Sequence, residues 1–384
     1  MWRQDVEGDP VPVRDAKHAG TDTVRAAGPS AFELLAGAGW DALVARCGVH
    51  DPLRTTAWLR LWAERASAGA QPRAVAVLRD GVLVAGAPLE VTRRGGLRVL
   101  RHMGQGDAWF HIAPPADDAG ARGDLLRAVA AEDADILLLD GLPGDDATRD
   151  VVREAIPGAE IVEGETWRLT TASPPRSVRK RRKEARRAVR RAADQGIELT
   201  VRWWDRWEDI GPRVPELLEF HHRHFPADTR NQLAEPGARR DYVADAIAVL
   251  GTEGRARLAE VRVGEHELAA WDLAFVGDDG TAVAYAGAFD RSRTDLMTLG
   301  WISMLEMVDR LTEEGISTVD FGAGPAPYKD LIAEPVPTIR VVAPLSRRGR
   351  AGLAARGLAG RVAVWAASRR RGRVPGDARP AGDA

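Results

Sequence analysis

Apolar positions along the chain switch between a helical and an alternating spacing, and the switches mark its elements. Leu34–Cys47 and Ala57–Ala66 carry the helical spacing, with Thr55-Thr56 as a cap candidate for the second. Arg73–Leu78 and Val82–Glu90 read as strands, and Asp80-Gly81 between them is a strong hairpin signal. Gly95–Phe110 holds another strand and then a Gly-rich bend, Asp118–Ala131 reads as a helix, and Asp135–Asp140 as a short strand running into Gly141. Ser173-Pro174-Pro175 is the best linker candidate. After it come a helix over Ser177–Asp194 closed by Gly196, and helices over Val214–Phe225 and Arg239–Leu250. Strands are expected at Ala256–Val263 and Leu268–Val276, turning at Gly264-Glu265, and at Thr281–Phe289. A helix over Leu299–Glu314 stops at Gly315, followed by strands at Ser317–Phe321 and Thr338–Val342.

This order repeats. Hairpin 73–90, helix 118–131 and a strand ending Asp140-Gly141 are matched by hairpin 256–276, helix 299–314 and a strand ending Asp320-Phe321-Gly322, offset by roughly 180 residues. Solenoid periods are about 20–50 residues, so an offset this long means two domains of one design. A chain of 384 residues is long enough for two or three domains. Hairpins interleaved with helices give an α+β (mixed α/β) class with mixed central sheets. The expected division is a flexible segment 1–27, a first domain 28–172, a second domain 173–345 and a basic tail 346–384, disordered or amphipathic with at most one helix.

Composition narrows the class. Apolar residues make up 45% and charged residues 29%, an ordinary globular balance. Cys47 is the single cysteine, which excludes a disulfide framework or a cysteine metal site within one chain. No apolar run resembles a signal peptide or a membrane helix, so the cytoplasm is the default location, with peripheral contact at the inner face of a membrane open. The net charge of -2 hides a partition: 176–191 holds ten Arg/Lys and one Glu, and 346–384 ten Arg and two Asp, leaving an acidic body. Like-charge pairs such as Arg182/Arg186 oppose helix formation, which points to compensation by the protein's own acidic body, by nucleotide or RNA phosphates, or by anionic lipid. No motif for sequence-specific DNA binding accompanies them.

Candidate chemistry gathers in the second half. Asp320, Tyr328 and Lys329 lie in and after a Gly-rich strand end, and Lys329 is the only lysine after Lys183 in a chain that otherwise chooses arginine. Asp272 shares a strand face with Ala270 and Ala274, a position where a carboxylate can line a pocket and deprotonate an amine. Tyr285 lies on the next strand among small residues. The following helix opens with Thr298 and Gly300, whose N–H groups can cradle a phosphate or an acyl carbonyl. His221, His222 and His224 lack metalloprotease spacing, and no metal is expected. No nucleophile elbow supports a covalent acyl-enzyme.

Thr55-Thr-Ala-Trp-Leu-Arg-Leu-Trp62, the basic stretch from Ser177, the strand end Tyr285–Asp290, Leu299-Gly300 and Asp320-Phe-Gly-Ala-Gly ahead of Tyr328-Lys329 together resemble a known family. Over roughly 30–345 the chain is similar to the GNAT-superfamily acetyltransferases associated with cellulose and exopolysaccharide biosynthesis, which are related to the FemABX aminoacyltransferases. The resemblance implies two fused GNAT-like domains and transfer of an acyl group from acetyl-CoA or another acyl-CoA, without a metal. The acceptor would be an amine on a small molecule, a sugar or a cell-envelope precursor. Asp272 or Asp320 would handle the amine proton, Tyr328 would protonate the leaving thiolate and Lys329 would stabilise charge. Tyr285, Thr298, Gly300, Arg182 and Arg186 would bind the donor. The chain departs from the family at Thr298-Leu-Gly300, where Pro-Gly is usual, and lacks the Arg/Gln-x-x-Gly-x-Gly/Ala loop before it. Aminoacyl-tRNA therefore stays open as a donor, as does a non-catalytic adaptor that binds partners or an anionic membrane surface.

Overall fold

The computed structural model describes residues 13–14, 21–28, 30–47, 52–65, 70–103, 114–224, 238–293, 296, 298–324 and 326–356. The strands are β1 (Val13–Arg14), β2 (Thr21–Ala27), β3 (Gln71–Arg79), β4 (Val82–Arg94), β5 (Leu97–His102), β6 (Ile136–Pro143), β7 (Glu160–Thr170), β8 (Leu199–Trp204), β9 (Ala256–Val263), β10 (Glu267–Val276), β11 (Thr281–Phe289), β12 (Thr318–Ala323) and β13 (Glu334–Pro344). The helices are α1 (Ser30–Gly37), α2 (Trp40–Arg46), α3 (Thr56–Arg65), α4 (Ala119–Ala130), α5 (Asp146–Ala155), α6 (Arg176–Asp194), α7 (Trp207–Ile210), α8 (Val214–His224), α9 (Ala238–Thr252), α10 (Leu299–Glu313) and α11 (Lys329–Ile332).

Local chemistry explains several boundaries. Asp80 and Gly81 both take positive φ, 52° and 79°, the conformation a two-residue hairpin between twisted strands requires. Gly39 at φ 92° breaks the expected helix 34–47 into α1 and α2. Asp118 and Asp145 cap α4 and α5 by accepting from the N–H groups of Ala121 and Thr148, each at 2.7 Å. Elements α5, β7 and β8 were not expected from the apolar pattern. In β7 the alternation is diluted by Glu160, Glu163 and Glu165, and β8 is half-buried throughout. Residues 21–27, expected to be flexible, form β2, paired along its length with β3. The basic tail begins with a helix over 347–356; Ser346 donates to Asp135 Oδ1 at 2.7 Å and anchors its start. The rest of the tail and the bend over 104–110 lie outside the described residues.

All strands join one mixed sheet in the order β1-β2-β3-β4-β5-β6-β13-β7-β12-β11-β10-β9-β8. Strands β2–β6 and β8–β12 repeat one layout in opposite directions about the centre. The closing strands are exchanged: β13 pairs with β6, and β7 pairs with β12, while the two pair with each other antiparallel. The hydrogen-bonding pattern thus crosses the linker at 171–175 twice. One core lies under both halves, where Trp62 of α3 meets Tyr242 of α9 edge to face at 5.0 Å. On the opposite face α4 and α5 cover the first half, and α6 and α10 cover the second.

Candidate active site

Strands β11 and β12 run parallel but pair over only three positions: Thr281↔Thr318, Ala282↔Val319 and Val283↔Asp320. Beyond these their carboxyl ends separate. Two irregularities accompany the divergence. In β11 the register with β10 shifts between Ala284 and Ala286, so Tyr285 is an extra residue. In β12 the register with β7 shifts between Asp320 and Ala323. The bulge reverses which β11 residues face α10. After it, Gly287 lies over Asp272, and Phe289 lies against Gly300 of α10.

Asp272 projects from β10 toward α10. The Ser303 hydroxyl donates to its Oδ2 at 2.6 Å. A Cβ on Gly287 would sit 2.3 Å from its Oδ1, so only glycine leaves room for the carboxylate there. The residue is half-buried. Loss of water pushes its pKa up to about 7, against the opposing hydrogen bond from Ser303. Tyr328 precedes α11, with its ring edge-on to Phe321. Burial and then the negative charge of Asp272 push its phenol up to about 12. A carboxylate that takes up a proton near neutrality and a phenol that keeps one therefore sit within electrostatic reach, beside the gap between β11 and β12.

The other two expected catalytic residues build this place. Asp320 Oδ1 accepts from Thr166 Oγ1 at 2.9 Å and from the Gly322 N–H at 2.7 Å, and Oδ2 accepts from Arg168 Nε at 2.9 Å. Those bonds tie the exchanged strand β7 to β12 and start the glycine loop, so a proton-accepting role does not suit Asp320. Lys329 is buried, and its Nζ donates to the carbonyls of Gly322, Ala323 and Gly324 at 3.0, 3.1 and 3.0 Å. Its three donors are spent on backbone, which leaves none for a donor or an oxyanion. Burial lowers its pKa to about 8, with Asp320 and Glu165 opposing. Gly322 and Gly324 take φ of 78° and 83°, which L side chains rarely adopt. Carboxylate and ammonium together hold the loop that positions Tyr328.

The expected donor-binding residues separate. Tyr285 points with Val283 to the opposite face, 4.9 Å from the Phe275 ring in the shared core; the bulge instead turns Gly287 and Phe289 toward α10. Thr298 makes no side-chain cap; its carbonyl accepts from the N–H groups of Trp301 and Ile302 at 2.9 and 3.0 Å. Gly300 is required by packing, since a Cβ would come within 2.7 Å of the Phe289 ring. Arg182 is engaged with Asp309 of α10, and Arg186 lies on the exposed face of α6. It is Arg181 that reaches the start of α10, with its guanidinium 5.2 Å from the Trp301 ring centre and a 2.6 Å bond to Glu184. His221 is buried against Trp271, and burial lowers its pKa to about 4; His224 Nδ1 contacts Asp290 Oδ1 at 3.2 Å.

Own acidic groups compensate only part of α6. Besides Arg181 and Arg182, Lys180 comes within 4.0 Å of Glu184. Arg176, Arg179, Lys183, Arg186, Arg187, Arg190 and Arg191 are exposed and make no ion pair among the described residues. At 3.6 residues per turn they and Lys180 fall within an arc of about 140°, opposite the buried Val178, Ala185, Ala188 and Ala192. No group of three or more metal-ligating side chains occurs among the described residues. No helix there is long and apolar enough to cross a membrane.

Sequence reasoning missed Ser303, Thr166 and Arg168, and it read Gly287 only as one of the small residues of its strand. Ser303 did carry a signal, as the one polar residue on the buried stripe of α10. The others depend on the bulge and on the strand exchange.

Residues 179–330 match the family described as an acetyltransferase (GNAT) domain, a span that includes Asp272, Ser303 and Tyr328. No curated protein sequence matches the chain. Among solved structures, FemX is similar at a TM-score of 0.54 and 15% identity, over 78% of this chain and 95% of that one. A tandem GNAT protein from the clavulanic acid biosynthesis pathway, solved without AcCoA, gives 0.51 and 14%, over 85% and 99%. A conserved protein of unknown function from Bacteroides thetaiotaomicron VPI-5482 gives 0.52 and 11%, over 80% and 97%. The fold is a tandem GNAT-like arrangement of mixed sheet and helices.

Proposed function

We propose that the chain is an N-acyltransferase that moves an acyl group, acetyl above all, from acyl-CoA to an amine of a small molecule, a sugar or a cell-envelope precursor. The reacting centre belongs to the second domain, 173–345, joined through the shared sheet to a first domain over 28–172. The observation that carries this reading is the pairing of Asp272, with its pKa near 7, and Tyr328, protonated to about 12, beside the gap where β11 and β12 part.

The acceptor nitrogen attacks the thioester carbonyl, the C–N bond forms and the C–S bond breaks. Asp272 takes the proton from the amine nitrogen, and Tyr328 donates its proton to the departing thiolate sulfur. A base with a pKa near the working pH suits this step, since about half of it is ionised and it is still a useful proton acceptor. The small side chain of Ala284, half-buried on the α10 side of β11, gives an acyl chain room there. The start of α10, with no side-chain cap, suits the phosphates of CoA, and Arg181 is the nearby cation. Asp320 and Lys329 act by shaping the loop before Tyr328. Thiol release from acetyl-CoA over a panel of amino sugars, amino acids and polyamines tests the reading. Tyr328→Phe is expected to slow transfer by about tenfold or more at unchanged donor affinity. Wild-type rates in that variant would remove the acid role.

One observation favours a second donor, aminoacyl-tRNA: the cationic face of α6 has more positive charge than the protein's own carboxylates match. Contact with several phosphates predicts tRNA binding that weakens about 10³-fold or more between 50 and 200 mM salt. Replacing Arg179, Lys183, Arg186 and Arg190 by Glu is expected to abolish it while acyl-CoA binding persists. Binding indifferent to salt and to these changes would reject that donor.

A further inference from the structure

We propose that Ser303 is a positioning residue for Asp272: its hydroxyl pins one carboxylate oxygen against α10 and leaves the other over Gly287 to receive the acceptor's proton. The inference rests on the reading of Asp272 as the proton acceptor. Its warrant is independent of that reading, because it lies in how the carboxylate is held.

Ser303 is fully buried on a stripe otherwise made of Leu299, Ile302, Leu305, Met307, Val308 and Leu311. A hydroxyl in such a place costs free energy unless it is hydrogen-bonded. A helical serine commonly satisfies itself by bonding back to the carbonyl one turn earlier. Ser303 instead donates across to Asp272 Oδ2 at 2.6 Å, the short distance of an O–H bonded to an anionic oxygen. On the other side Gly287, the cross-strand partner of Asp272, leaves Oδ1 lying directly over its Cα. A helix and a strand thus grip the carboxylate from opposite sides, and its plane is fixed. Such a grip on a reacting group is what precise proton transfer needs.

Neighbouring charges do not share the task. On α10, Asp309 is paired with Arg182 of α6, and Glu306 with Arg310. On α6, Arg181 is paired with Glu184. On β9, Arg257 is paired with Glu314 and Glu260 with Arg262. Across the loop, Lys329 is committed to backbone carbonyls and Asp320 to Arg168. Tyr328 is the titratable group on which Asp272 acts. Among the described residues no cation pairs with Asp272, so Ser303 is the group that favours its ionised form.

The test is a carboxyl carbon NMR titration of the full chain labelled at aspartate, from pH 4 to 9, with Asp272→Asn identifying the resonance. Wild type is expected to titrate near 7. Ser303→Ala, which removes the bond and keeps the packing, is expected to move the midpoint up by about one pH unit, a tenfold gain in proton affinity. Ser303→Thr, which keeps the hydroxyl, is expected to return it to the wild-type value. Thermal unfolding of each variant shows that the fold is intact. A Ser303→Ala midpoint equal to wild type, with Asp272 still titrating near 7, would overturn the positioning role and leave the acyl-transfer reading standing. A wild-type midpoint near 4 would instead remove Asp272 as the proton acceptor, and this role with it.

Discussion

At the scale of single residues, Asp272 is held where its charge is least welcome. Its pKa is raised in the fold, so between about pH 4 and 7 the native state binds a proton that the unfolded chain does not. This contribution to stability is present below about pH 4 and is lost as pH rises to about 7. Asp272→Asn carries no such dependence. It is expected to melt roughly 2–4 °C above wild type at pH 8 and to lose that advantage near pH 4, as thermal scans at the two pH values would show. A residue whose neutral replacement stabilises the protein is typical of a site kept for chemistry. Lys329 is the opposite case. Lys329→Ala leaves three carbonyls without their donor and is expected to lower stability by about 1–3 kcal/mol in denaturant titration. Lys329→Arg is expected not to restore it, because a planar guanidinium cannot meet three carbonyls converging on one nitrogen. The rarity of lysine in the sequence pointed to a residue that arginine cannot replace. It did not tell a catalytic ammonium from one that clamps a loop, since that depends on where Gly322 and Gly324 turn.

At the scale of elements, the bulge in β11 decides the site. Without the extra residue, strict alternation would put Gly287 in the shared core with Val283 and Tyr285; with it, Gly287 faces Asp272. Gly287→Ala is expected to displace the carboxylate, cost about 1–3 kcal/mol in denaturant titration and abolish transfer. The apolar pattern revealed β10, β11, α10 and the tandem order, because these elements alternate or repeat cleanly. Asp272 and Tyr328 both stood out in the sequence, but their mutual electrostatic reach depends on the loop that Lys329 clamps. A one-residue bulge leaves no trace in hydrophobicity, and so the turn of Gly287 toward Asp272 was not legible. β7 and β8 escaped notice for a related reason: charged and half-buried positions blur their alternation.

At the scale of the whole molecule, the exchange of β7 and β13 makes each half depend on the other's last strand. Equilibrium unfolding is expected to follow one transition, coincident by tryptophan fluorescence and far-ultraviolet circular dichroism. Truncation after Ala333 is expected to remove folded protein entirely, since it opens the edges of β6 and β7 together. The same exchange carries Thr166 and Arg168 to Asp320, so the site in the second half is buttressed by a strand from the first. The most direct test of the central claim is acyl transfer from acetyl-CoA across the amine panel by wild type and Asp272→Asn, with donor affinity measured alongside. The account predicts transfer by wild type, a loss of about 100-fold or more in the variant and donor affinity within roughly threefold. Equal transfer by the two proteins would contradict it.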